Sequence, residues 1–253
     1  MSINKIKVEL YKIIMRLPGG KAFFRMRAQR RLNRIGDIAD IFKHHFETNE
    51  WSNDESVSGP GSTLKYTKNI RNIIPQTVKE LGVEKILDAP CGDYNWARMI
   101  GWISPVTYIG GDIVTPLIEK NQSLYGTEST KFVKLNIIED KLPKADLWLC
   151  RDCLFHLSER DIFLTFYNFL KSDISYLLTS THPECKKNRD IPTGSFREIN
   201  LLIHPFNLGK PTRTIDDWIE GFPVRHLALW HRESIKNALA SNNVFHQLVE
   251  SVR

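Results

Sequence analysis

Six polar residues of this chain fall at spacings that let one fold gather them along a single edge: Asp88, Asp112, Asn136, Asp152, His156 and His182. Asp88 follows the short apolar run Ile86-Leu87, and an acid at the end of a buried strand repels phosphate but attracts an ammonium or sulfonium group. Asp112 stands twenty residues beyond Gly92. At that offset a carboxylate after the second strand of a nucleotide-binding βαβ unit accepts hydrogen bonds from ribose hydroxyls. Asp152 and His156, expected one turn apart on a helix, can take a proton from a hydroxyl or amine acceptor. A helix-start residue and a satisfied core histidine explain that pair equally well, and His182 is the weaker third candidate.

The elements that must position these residues are legible as alternating apolar runs. Glu84–Trp96 reads as a strand, a tight turn and a helix-forming run from Trp96 to Ile100. Thr107–Asp112 reads as a second strand, residues 131–138 as a third, Leu142 to Asp152 as a fourth and Tyr176–Thr181 as a fifth. Ser158 with Asp161 is an N-cap signature for a helix over 159–171. Strands alternating with helices over residues 84–181 predict an α/β fold, a Rossmann-like doubly wound parallel sheet with its ligand at the carboxyl ends of the strands. Residues 183–217 carry four prolines and read as an irregular insertion. Val224 to Trp230 is expected to be a strand and Ser234–Ala240 a helix, while Val244–Val252 suits either state. The division expected is a basic amphipathic helical extension over 1–50 and a catalytic domain over 51–253.

The run Asp88-Ala-Pro-Cys-Gly-Asp-Tyr-Asn-Trp96 resembles the first motif of the class I S-adenosylmethionine (SAM) methyltransferases, with Pro90, Gly92 and Tyr94 at its three glycine positions. Together with Ser58-Gly-Pro-Gly-Ser62 and Cys150-Arg-Asp-Cys-Leu-Phe-His-Leu157 it is similar to bacterial and viral members associated with surface-glycan assembly, over roughly residues 50–210. The resemblance implies SAM as cofactor, held by Asp88, Pro90, Cys91, Gly92, Asp93, Trp96, Asp112, Ile113, Asn136, Ile137 and Arg151. Asn136 stands where the family places an acid for the adenine amino group, and its side-chain carbonyl can accept that bond. Asp152 and His156 are the expected catalytic residues. Ser58, Gly59, Ser62, His182 and Arg197 are expected on the acceptor side, with the loop at 51–63 either a cover over cofactor or substrate or a plain linker.

Composition narrows the remaining classes. The content of 42% hydrophobic and 25% charged residues is that of an ordinary globular protein. Four unevenly spaced cysteines suit a reduced, cytoplasmic protein better than a disulfide framework. Lys12 and Arg16 interrupt any signal-peptide core, and no apolar run is long enough to span a bilayer. The histidines show no metal-ligand spacing, so no metal is expected. The net charge of +6 is uneven: residues 1–36 hold ten Lys and Arg against the single Glu9, which leaves the body slightly acidic. Ile3, Ile6, Leu10, Ile13 and Leu17 give residues 2–17 a helical apolar stripe, and a second pattern runs from Phe23 to Phe42. Residues 1–35 therefore suit packing on the domain or on a second subunit first, then a partner protein or peripheral docking at the inner face of the membrane, with nucleic acid last. An oligomer is compatible with this.

One acceptor class can be set aside. Arg151-Asp152-Cys153 replaces the Asn/Asp-Pro-Pro-aromatic run with which amino-methylating nucleic-acid enzymes hold a flipped base. What the resemblance to surface-glycan members implies is SAM-dependent O-methylation of a sugar hydroxyl in a glycan or its precursor. The alternatives are N-methylation of a small amine, with Arg197 as phosphate ligand, and a non-catalytic SAM-binding scaffold.

Overall fold

The computed structural model describes residues 36–251. The helical pattern at 2–17 and most of the one beginning at Phe23 lie outside them. The second pattern ends in helix α1 (Ile38–Thr48), capped by Asp37, whose Oδ1 accepts from the Ala39 amide at 2.7 Å. Ile38 and Phe42 of α1 pack onto the main core.

Seven strands form one sheet: β1 (Lys85–Asp88), β2 (Thr107–Asp112), β3 (Thr130–Lys134), β4 (Leu147–Cys150), β5 (Tyr176–Thr181), β6 (Arg213–Asp216) and β7 (His226–His231). Their order is β3-β2-β1-β4-β5-β7-β6. The first five run parallel, and β7 lies antiparallel to both β5 and β6. The central strands are covered on both faces, which is why β4 reads Leu-Trp-Leu-Cys without a polar residue and is buried throughout. Alternate residues serve opposite cores. Leu87, Trp148, Cys150 and Leu177 face one cluster, and Ile86, Leu147, Leu149 and Leu178 face the other.

Helix α2 (Lys68–Glu80) lays Ile70, Ile74 and Val78 on the second cluster beside Ile118 of α3 (Thr115–Tyr125). Helix α4 (Glu159–Lys171) lays Ile162, Phe163, Phe166 and Phe169 on the first. Each fully buried phenylalanine contributes about 1.5–3 kcal/mol of apolar burial, so α4 is the main clamp of that face. Its start is the one expected: the Ser158 hydroxyl accepts from the Asp161 amide. Helices α5 (Arg232–Ala240) and α6 (Asn243–Ser251) complete the same side.

Several boundaries differ from expectation, each for a local reason. The third strand stops at Lys134 because Asn136 Oδ1 accepts from the Ile138 amide at 3.0 Å and makes a turn of residues 136–140. The fourth begins at Leu147, since Asp146 is occupied in capping the Glu84 and Lys85 amides. Trp96–Ile100 yields only a 3₁₀ turn at Ala97–Met99. Leu154–His156 is likewise a 3₁₀ turn, so Asp152 and His156 do not share a helix; Asp152 itself is left-handed at φ +53°. The insertion at 183–217 is irregular until it ends in strand β6, and Asn243–Ser251 is helical.

Candidate active site

The turn after β1 is the floor of the site. The Ala89–Pro90 bond is cis, and the positive φ values fall at Gly92 (+54°) and Tyr94 (+58°). Tyr94 is held there by its ring, which packs on Tyr108 and Phe132. Trp148 Nε1 donates to the Ala89 carbonyl at 2.8 Å and ties the turn to β4. A cleft of about 350 Å³ opens above the carboxyl ends of the parallel strands. Its volume is that of a small-molecule site.

At one end of the cleft Asp112 accepts from the Gly92 amide at 3.1 Å and the Val114 amide at 3.0 Å. Burial nevertheless raises its carboxyl to about 6. Ile113, Val114, Leu117, Leu135 and Ile137 make an apolar slot beside it, with Asn136 on the same wall. Asn136 Oδ1 already serves the Ile138 amide, so the adenine contact expected of it has only the remaining lone pair. Asp88 accepts from the Tyr108 hydroxyl at 2.5 Å, and burial raises it to about 7. Pro90, Cys91, Gly92 and Trp96 also line the cleft.

Asp93 is a correction. It is absent from the lining and instead anchors the loop at 51–63, accepting from the Ser56 hydroxyl, the Val57 amide and the Ser58 hydroxyl at 3.0–3.2 Å. Ser58 Oγ accepts in return from the Asp93 amide at 3.0 Å. The loop thus lies over the floor, and its Ser58, Gly59 and Ser62 line the cleft as a cover would. Gly61 is required there, because a Cβ on it would meet Asp152 Oδ2 at 2.6 Å.

Asp152 lines the cleft, as expected of a site residue, but its carboxylate is tied down. Arg225 Nη1 lies 2.6 Å from Oδ1 and Arg151 Nη1 3.2 Å from Oδ2. Burial favours its neutral form, but these two guanidinium groups outweigh that and hold the carboxyl below its usual range. Both its oxygens are thus engaged by guanidinium groups, which leaves neither free to take a proton from an acceptor. The same arginines grip Asp217: Arg151 donates to both its oxygens at 2.9 Å, and Arg225 Nη2 stands 3.0 Å from Oδ2. Arg151 also donates to the Gly61 carbonyl at 2.7 Å and stacks 5.1 Å from the Trp96 ring. It supports the site more than it contacts a ligand. Sequence reasoning missed Asp217 and Arg225; the one available signal was their place just after β6 and just before β7, at the same end of the sheet.

His156 is half-buried, and its Nδ1 lies 2.8 Å from the Ser195 carbonyl. A carbonyl only accepts, so Nδ1 carries the proton and Nε2 keeps its lone pair. Burial, with Arg197 and His45 nearby, pulls the ring down to about 4, so it is neutral at pH 7. His182 Nδ1 accepts from the Ile199 amide at 3.3 Å, which places its proton on Nε2; burial and Arg225 hold it neutral too, at about 4. Both rings line the cleft, together with Trp51, Phe155, Phe196 and Phe222.

Arg197 is the second correction. It is 2% exposed, stands outside the cleft lining, and donates through Nη1 to the Phe155 and Leu157 carbonyls at 3.2 and 2.6 Å. It braces the turn that carries His156, and its Nε and Nη2 are buried without a hydrogen-bond partner among the described residues.

No family model matches the sequence, and no curated protein matches it. Among solved structures the chain is similar to magnesium protoporphyrin IX methyltransferase (ChlM) from Synechocystis PCC 6803 with bound SAM. The identity is 16% and the TM-score 0.51, over 78% of this chain and 97% of that one. It is also similar to PigF with SAH (S-adenosylhomocysteine), at 16% identity and TM-score 0.49 over 66% of this chain and 56% of that one, and so spans little more than half of PigF. The N-methyltransferase NodS from Bradyrhizobium japonicum WM9 gives 10% identity and TM-score 0.47 over 65% and 98%. The seven-stranded sheet with its single reversed strand, together with the first of these likenesses, establishes a class I methyltransferase fold.

Proposed function

We propose that the chain is a SAM-dependent O-methyltransferase whose acceptor is a sugar hydroxyl of a glycan or glycan precursor. The observation that carries this reading is the free Nε2 of a neutral His156 inside the cleft.

The residues present fit the cofactor. Asp112 suits the ribose hydroxyls, the slot of Ile113, Leu135 and Ile137 suits adenine, and buried Asp88 suits a positively charged group nearby. When bound, SAM supplies a methyl group on a sulfonium sulfur, whose carbon–sulfur bond breaks toward sulfur as the acceptor oxygen bonds the carbon. The chain's own task is then proton removal and positioning. His156 Nε2 accepts the hydroxyl proton, and the Ser195 carbonyl, bonded to Nδ1–H, steadies the imidazolium that results. Asp152, held by two arginines, lends negative charge close by without taking the proton.

Two features favour a sugar over a phosphoamine. Trp51, Phe196 and Phe222 give the acceptor end aromatic faces for a sugar ring. Arg197, the expected phosphate ligand, stands outside the cleft lining. Among the described residues no helix is long and apolar enough to cross a membrane. A glycan acceptor would fit peripheral work near an anionic surface through the basic residues 1–35.

Isothermal titration calorimetry with SAM and SAH tests the reading first. Binding of both in the micromolar range, weakened by Asp112→Ala, is the expected result. A folded protein that binds neither overturns the cofactor, and with it the function.

A further inference from the structure

The cleft holds two histidines in opposite tautomers, and the proposed reaction uses only one. His156 presents a bare Nε2, because its Nδ1–H is committed to Ser195. His182 presents Nε2–H, because its Nδ1 is committed to the Ile199 amide. Each tautomer is set by a backbone group, so neither can swap without breaking a hydrogen bond of the insertion at 183–217. Both rings pack on Phe155, their centroids 4.7 and 5.4 Å from its own. Among the described residues neither Nε2 has a hydrogen-bond partner, and neither is a sealed, unsatisfied atom; both open on the cleft.

We propose that His156 and His182 read a pair of neighbouring oxygens on the acceptor, the hydroxyl that gives its proton to His156 and an adjacent oxygen that accepts from His182 Nε2–H. The substrate class is thus a vicinal diol, or a hydroxyl beside an ether or ring oxygen, rather than an isolated alcohol or an anion. This inference rests on the O-methyltransferase reading and deepens it.

The chemistry of the pair is selective in both directions. Two donors would welcome a carboxylate or phosphate; here a bare lone pair replaces one of them and repels an anionic oxygen. An acceptor lacking the second oxygen leaves the His182 N–H desolvated and unpaired, which makes such an analogue poor. His182 is therefore a specificity-determining residue. It takes no proton, and the bond-making step stays that of His156.

The test has two arms. In the first, ¹⁵N spectra of the imidazoles of the full chain at pH 7 should show both rings neutral, His156 protonated at Nδ1 and His182 at Nε2. A His182 that is charged, or protonated at Nδ1, overturns the proposal whatever the substrate.

In the second arm, methyl transfer from labelled SAM is followed to a panel of methyl hexopyranosides and their monodeoxy analogues. Removal of the oxygen beside the methylated hydroxyl should raise KM about 10–100-fold, the cost of one buried donor left unpaired, with a smaller effect on kcat. His182→Ala should erase that discrimination and His182→Gln, which keeps an N–H donor, should restore part of it. A monodeoxy analogue as good as its parent overturns the pair while leaving the O-methyltransferase reading intact. A panel with no product, from a protein that binds SAH, removes the sugar and the diol together.

Discussion

Arg225 Nη1 and Asp152 Oδ1 stand 2.6 Å apart, and that contact helps hold the carboxyl below its usual range, which leaves His156 as the base of the proposed reaction. Asp152 has a base's address at the end of β4, but with Arg151 on its other oxygen it is half of a buried charge lattice.

Asp152→Asn should therefore act on stability before chemistry. It leaves Arg151 and Arg225 to share Asp217 alone, and breaking a buried pair of this kind costs on the order of 3 kcal/mol. Urea denaturation should show that loss. The acid limb of kcat/KM should remain and move to lower pH, because the Asp152 charge raises the His156 ring; a limb that vanishes with the substitution would return the base to Asp152.

His156→Gln should lower kcat by about 10²–10⁴-fold while SAH affinity, read by calorimetry, stays within a few-fold. The wild-type acid limb should fall near pH 4, where the buried ring takes its proton, rather than at the ordinary histidine value of 6.5. Unchanged turnover in the variant would remove His156 as the base.

Opposed titrations predict a particular pH response of stability. His156 and His182 are held near 4 against 6.5, so between those values the unfolded chain binds more protons and stability rises with pH. Asp88 and Asp112 are raised to about 7 and about 6 from 3.8, so here the folded chain binds more and stability falls as pH rises. The slopes offset each other. Asp88→Asn removes part of the falling one, and denaturation curves across this range should show a steeper rise in stability than wild type. Identical profiles would mean that Asp88 is not raised.

Gly61→Ala tests the seat of the cover. The new Cβ would press on Asp152 Oδ2 and must displace either the loop or the carboxylate. A loss of about 1–3 kcal/mol, with weaker SAH binding, is expected. A variant indistinguishable from wild type in both would show that the cover does not sit on Asp152.

The parts of the site that sequence reveals are those built from neighbours in the chain. Asp88, Gly92 and Asp112 belong to one βαβ unit, where chain spacing translates directly into distance, and Ser158 caps a helix that begins at the next residue. The hidden parts are long-range. Arg151 and Asp217 are 66 residues apart and meet only because β7 and β6 return to the same end of the sheet. Asp93 looks like a motif residue and serves as a loop anchor because Ser56 and Ser58, 37 and 35 residues earlier, come back over it. Val244–Val252 stays open in the sequence because a short apolar run suits strand and helix alike; packing of Phe245 and Val249 on the first core decides for a helix over Asn243–Ser251.

The Gly61 carbonyl, bonded to Arg151, fastens the cover to the charge lattice beneath it, while Phe196 and Phe222 stand 59% and 40% exposed where the cleft meets solvent. With the loop fastened there, the exposed rim of Phe196 and Phe222 is left as the mouth of the cleft, so in the proposed reaction the two rings offered to an acceptor would also border the path of a departing product.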